Sequence, residues 1–69
     1  MINFDFTVLK KTNTERETFD TNDFKRALAK FEEYLEDVRA WRENEYKIVI
    51  VDNHSGEKCK YIEYYDKEL

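Results

Sequence analysis

The sequence contains no proline and a single glycine, Gly56, which excludes linkers and low-complexity segments of the usual composition. Its single cysteine, Cys59, excludes an internal disulfide and is typical of a reducing compartment. No stretch approaches the roughly 18 apolar residues of a membrane-spanning helix. The first residues form neither a basic nor an apolar run, so no signal peptide is predicted and a cytoplasmic location is expected.

The chain is rich in aromatic and charged residues. The 69 residues predict one domain, 1–69, and aromatic side chains, which make up 16% of the chain, supplement its small core. Charged residues make up 41%, with a net charge of −4. This acidic balance disfavours direct binding to nucleic acid, because such binding neutralises phosphates with Lys and Arg. A protein partner with a basic surface is expected instead.

Alternation of apolar side chains predicts a strand at the start of the chain. The alternating apolar residues are Ile2, Phe4, Phe6 and Val8. Residues 10–13 are polar and predict a turn. The sequence leaves open whether the threonine-rich segment 14–19 forms a second strand that pairs back on the first.

A long amphipathic helix follows. Apolar residues recur every three or four positions from Phe24 to Trp41, which indicates one buried helical face. Asp20 or Thr21 is the expected N-cap, and a helix of about six turns is expected to end near Asn44. Its outer face carries an acidic stripe, which consists of Glu32, Glu33, Glu36 and Asp37.

The last third of the chain predicts a β-hairpin. Residues 46–51 form a β-branched run, 53–56 a turn, and 58–65 a tyrosine-rich strand. With Gly56 in the left-handed region, the expected pairs are Asn53–Glu57, Asp52–Lys58 and Lys47–Glu63. This register places Tyr46, Ile48, Ile50, Ile62 and Tyr64 on one face.

These elements predict an α+β fold, an antiparallel sheet of three to four strands with the helix on one face. The expected core lies between the helix and Phe4, Phe6, Ile48, Ile50 and Ile62. One helix can shield only one face of the sheet, so the other is expected to remain uncovered. That face carries Leu9, Val49, Val51, Cys59, Tyr61 and Tyr65. Large uncovered apolar patches typically mark interaction sites.

The sequence offers little for catalysis. His54 is the only histidine, and it has no partners at metal-ligand spacing. Gly56 stands alone, so there is no glycine-rich phosphate loop. Cys59 is interpreted as a small apolar strand residue, because Lys58 and Lys60 are expected to point to the other face. We therefore predict no enzyme, no cofactor and no metal site.

The order strand, polar turn, short strand, helix and hairpin resembles that of a family of small phage-encoded inhibitors, the anti-CRISPR proteins, and in particular of a type I-F member. The segment Asn13-Thr14-Glu15-Arg16-Glu17 is also similar. The resemblance implies a stoichiometric inhibitor of a nucleic-acid-handling host defence complex, such as a CRISPR effector. It implies no particular functional residues.

The leading hypothesis is therefore a non-enzymatic binding protein that acts by steric and electrostatic occlusion. The predicted partner-binding residues are Val49, Tyr61, Tyr65, Glu32, Glu36 and Asp37. One alternative is a homodimeric module that buries the uncovered face against a second copy. Another is a binder of single-stranded nucleic acid that uses Tyr61 and Tyr65 for stacking.

Overall fold

A computed structural model describes residues 4–66 and contains four strands and one helix. The elements are β1 (Phe6–Thr12), β2 (Arg16–Thr21), α1 (Phe24–Ala40), β3 (Glu45–Asp52) and β4 (Lys58–Tyr65). All neighbouring strands are antiparallel and lie in the order β2-β1-β3-β4, so β2 and β4 form the two edges. The predicted α+β fold is confirmed, and the open question about segment 14–19 is answered by β2, which makes the sheet four-stranded.

The core lies between α1 and one face of the sheet, as predicted. Ile48 and Ile50 are fully buried beneath the helix, and Phe6 and Ile62 pack at the border of the core. The full buried cluster consists of Val8, Ala27, Phe31, Tyr34, Leu35, Val38, Tyr46, Ile48 and Ile50. Within residues 4–66, no helix combines the length and the apolar character that crossing a membrane would require.

The segment before β1 differs from the prediction. Ile2, the predicted first residue of the strand, lies outside the described residues, and β1 begins at Phe6. Phe4 is exposed, so its predicted place in the core is wrong. Its backbone oxygen accepts a hydrogen bond of 2.9 Å from the Asn53 side chain, which holds this segment against the β3–β4 turn.

The helix begins later than predicted. Asp20 and Thr21 still belong to β2 and therefore cannot serve as the N-cap. Asp23 is the cap, and its carboxylate accepts a hydrogen bond of 2.9 Å from the N–H of Lys25. The Thr21 hydroxyl in turn accepts a hydrogen bond from the N–H of Asp23, which fixes the entry into the helix.

The helix also ends earlier than the predicted boundary near Asn44. It stops at Ala40 after 17 residues, which make about five turns instead of the six expected. Arg42 adopts a left-handed φ of 53°, and the N–H groups of Arg42 and Glu43 donate to carbonyls of the preceding turn. These bonds form a Schellman motif, which terminates a helix. Trp41, expected on the buried face, is consequently 80% exposed.

The β3–β4 hairpin has the predicted register over most of its length. Lys47 pairs with Glu63 and Ile48 with Ile62, as expected. The predicted helix-side face of the hairpin is therefore confirmed, and Val49 lies on the opposite face.

A bulge near the turn changes the rest of the register. Val51 pairs with Lys58, and the N–H of Asp52 donates to the carbonyl of Glu57 at 2.9 Å. The predicted pairs Asp52–Lys58 and Asn53–Glu57 are therefore wrong. The predicted conformation of the single glycine is confirmed, since its φ is +77°. The extra residue in β4 shifts Lys58 to the side of the sheet that the helix does not cover.

Candidate binding surfaces

One face of the sheet is left open by the helix, and we call it the open face. Strand alternation places fourteen side chains on it in register: Arg16, Thr18 and Asp20 of β2, Thr7, Leu9 and Lys11 of β1, Glu45, Lys47, Val49 and Val51 of β3, and Lys58, Tyr61, Glu63 and Tyr65 of β4. The predicted binding residues Val49, Tyr61 and Tyr65 are thus on the same surface.

Val49 lies at the centre of the open face. It is only 4% exposed although it is not part of the cluster beneath the helix. It lies opposite Leu9 on one side and Tyr61 on the other, and these larger side chains shield it from solvent. Val49 therefore supports the surface from below and offers a partner little area of its own.

Tyr61 and Tyr65 are the two aromatic side chains in this set. Tyr61 is 42% exposed and Tyr65 is 60% exposed. The Tyr61 hydroxyl donates a hydrogen bond of 2.7 Å to the Glu63 carboxylate, which favours the neutral phenol and raises the pKa of Tyr61. The ammonium of Lys58 lies 4.4 Å from the centre of the same ring. Lys58 was expected on the helix side, and the bulge explains the difference.

Three cations lie side by side on the open face. Lys11 is directly opposite Arg16 of β2 and directly opposite Lys47 of β3, and we call these three residues the basic row. Among residues 4–66, none of the three lies within 4.0 Å of a carboxylate. The sequence analysis missed this row, because it rests on the pairing of β1 with β3, which local patterns do not specify.

The acidic stripe lies on the opposite side of the domain, along α1. Glu32 forms an ion pair of 3.1 Å with Lys60 of β4, and Glu33 forms one of 3.2 Å with Lys30. Glu36 is exposed. Half of the stripe is thus neutralised within the molecule. The structure does not bring the stripe and the tyrosines into one site.

The remaining stripe residue, Asp37, belongs to a cluster around a buried lysine. Lys10 lies on the helix side of the sheet, with its ammonium bound by Glu17 and 3.8 Å from Glu15. Burial alone would lower the pKa of Lys10, but the hydrogen bond and charge of Glu17, with the charges of Glu15 and Asp37, outweigh it and raise the pKa. The ammonium also lies 5.4 Å from the centre of the Tyr34 ring. This cluster joins β1, β2 and α1.

The β3–β4 turn is fastened to the segment that precedes β1. The N–H of Asn53 donates to the carbonyl of Asp5 at 2.8 Å, and its side chain donates to the hydroxyl of Thr7 at 2.9 Å. The imidazole of His54 lies 2.6 Å from the Asp5 carboxylate. This contact, with the charge of Asp5 and that of nearby Asp52, raises the pKa of His54. His54 thus tethers the β3–β4 turn to the segment before β1.

The His54–Asp5 contact predicts a pH dependence of stability. Because the pKa of His54 is raised in the folded state, the stabilisation from this contact is complete below the unfolded pKa of about 6.5. The stabilisation is lost as the pH rises through the folded-state pKa. We expect the melting temperature to fall slightly between about pH 6 and pH 8. Thermal denaturation of Asp5→Asn is the control, and an equal slope in that variant would contradict the prediction.

Cys59 is exposed and lies at the bulge. In the described part of the chain, no three His, Cys, Asp or Glu side chains converge where they could hold a metal ion.

The chain matches no protein-family model, no curated protein and no solved structure. Its candidate function therefore rests on the geometry of these surfaces.

Proposed function

We propose that this chain is a small non-enzymatic binding protein that docks on a protein partner through the open face of its sheet. The supporting observation is that α1 shields one face only, so that Tyr61 and Tyr65 remain exposed above a buried support at Val49. Exposed tyrosines on a rigid strand are typical interface anchors, because they bring large area at a small loss of side-chain entropy.

The open face is a better docking surface than the acidic stripe of α1. Glu32 and Glu33 already have partners in Lys60 and Lys30, so an incoming basic surface would compete with contacts inside the molecule. Exposed ion pairs are individually weak. The stripe would therefore raise the association rate with a basic partner more than the affinity of the complex.

The mode of action that we propose is stoichiometric occlusion of a nucleic-acid-handling host complex. A domain of 69 residues with one exposed face can block a site by covering it, without any chemical step. The order β-β-α-β-β supports this proposal, since it resembles that of phage-encoded anti-CRISPR inhibitors.

Capture from a bacterial lysate on immobilised protein tests the proposal. The variants Tyr61→Ala and Tyr65→Ala are expected to reduce recovery of the partner at least tenfold, because truncation of a central interface tyrosine commonly costs about 2 kcal/mol or more and about 1.4 kcal/mol corresponds to tenfold. Trp41→Ala is the matched control, since Trp41 is an exposed aromatic residue at the end of α1.

Two results would contradict the proposal in different ways. If Trp41→Ala reduces recovery while both tyrosine variants bind normally, the open face is not the docking surface. If the tyrosines are required but the captured protein does not belong to a nucleic-acid-handling complex, the surface is correct and the inhibitory role is wrong.

A further inference from the structure

We propose that the basic row of the open face binds an acidic polypeptide segment of the partner. This inference rests on the proposed docking face and specifies the chemistry of what lies on it. The row consists of Arg16, Lys11 and Lys47, which come from three neighbouring strands. It gives the open face a local charge opposite to the net charge of −4 that the whole chain carries.

The basic row is unfavourable for the isolated fold. Like charges directly opposite each other destabilise an antiparallel pair, and Lys11 has such a neighbour on both sides. Ion pairs elsewhere in the described residues show that this chain supplies carboxylates to other lysines, such as Glu17 to Lys10. Within residues 4–66, no carboxylate forms an ion pair with the basic row, and Glu63, which lies opposite Lys47, is hydrogen-bonded to Tyr61 instead. An external anion would therefore relieve the repulsion around Lys11.

The dimensions of the row fit a short run of carboxylates. Adjacent strands lie about 4.8 Å apart, so the three cations extend across about 10 Å of the sheet. An extended peptide presents side chains on one side about every 7 Å, which places two of its carboxylates within the row. A depression of about 390 Å³ lies beside the row, and its lining includes Lys11, Lys47 and Tyr65.

The surroundings favour a polypeptide over nucleic acid. One side of the Tyr61 ring is occupied by Lys58, and its hydroxyl is bound to Glu63, which restricts base stacking. Three cations also release few counterions, so the main source of affinity for nucleic acid is small here. A peptide binds through a few carboxylates and needs no base stacking, so neither restriction applies to it.

NMR titration of the ¹⁵N-labelled chain at low salt tests the inference. The probes are pentaglutamate, pentalysine and an oligothymidylate of five nucleotides. Pentaglutamate is expected to shift the amide signals of Arg16, Lys11 and Lys47 with saturation at millimolar peptide. The variant Lys11→Glu is expected to weaken this binding about tenfold or more, since hydrogen bonds to charged groups are commonly of that strength.

A matched variant and a stability measurement separate local recognition from general effects. Lys25→Glu makes the same change in net charge on the exposed side of α1, and it should leave binding unchanged. Lys11→Glu should melt at or above the temperature of the natural chain, because its carboxylate would lie between two cations. Arg16→Glu is a second variant of the row, and it is expected to weaken binding in the same way.

The inference is overturned if pentaglutamate shifts none of these signals, or if Lys25→Glu weakens binding as much as Lys11→Glu. It is also overturned if the oligothymidylate shifts the basic row more strongly than pentaglutamate does, because the row would then be a nucleic-acid site. The capture experiment with Tyr61 and Tyr65 is independent of these results. A negative NMR result would therefore change the proposed ligand of the basic row and leave the open face as the proposed docking surface.

Discussion

Replacing Phe31 with alanine is expected to lower the free energy of unfolding by about 3–5 kcal/mol. Phe31 is 2% exposed and is the largest side chain fully enclosed between α1 and the sheet. Its removal takes away apolar contacts with both layers and leaves a cavity that the short helix can only partly fill. A domain of 69 residues has roughly 3–10 kcal/mol of stability in total, so much of the variant should be unfolded at 37 °C.

Phe24→Ala is the matched control, since it removes the same side chain from the same helix. Phe24 is exposed, and its ring lies 5.2 Å from that of Phe6. Its loss is expected to cost about 1 kcal/mol, which corresponds to one aromatic pair. Urea denaturation followed by circular dichroism measures both variants. Equal losses in the two would show that the core is not centred on Phe31.

The second large effect concerns the buried Lys10. Glu17→Gln is expected to cost about 1–3 kcal/mol, because it leaves a buried ammonium without its nearest counter-charge. Glu15, at 3.8 Å, replaces only part of the lost interaction. Lys10→Met is expected to change stability by less than about 1 kcal/mol, since it fills the same space without a charge.

The informative result is which of these two variants is less stable. The carboxylates of Glu15 and Glu17 are more than half exposed, so they remain hydrated when the lysine is removed. The lysine has no such access to water when its partner is removed. In chemical denaturation at neutral pH, Glu17→Gln should therefore have a lower free energy of unfolding than Lys10→Met. The reverse order would mean that the ion pair itself stabilises the fold beyond what an apolar side chain of equal length provides.

Periodicity was sufficient to predict the layers of this fold. The three-to-four spacing from Phe24 onwards and the alternation around Ile48 determine which faces meet, because burial of apolar area decides between the alternatives. The same reasoning placed Tyr61 and Tyr65 on the uncovered face, where the structure has them.

The departures from prediction have identifiable physical causes. Lys10 was assigned to a turn, because a charged residue breaks the apolar alternation, yet a cross-strand carboxylate allows it to be buried within β1. Trp41 was assigned to the helical face, but the left-handed Arg42 ends the helix first. The basic row joins Lys11 to Lys47, and no local pattern indicates which strands become neighbours across 36 positions.

The bulge at Cys59 also affects how copies of the chain behave in a crowded cell. β4 is an edge strand, and a long, regular, tyrosine-rich edge is a template on which further strands can add and begin a fibre. An extra residue twists the edge out of plane, and Lys58 and Lys60 on either side place charge where an incoming strand would have to pair. The irregularity that brings Lys58 to Tyr61 thus also makes the β4 edge a poorer template for the addition of a further strand.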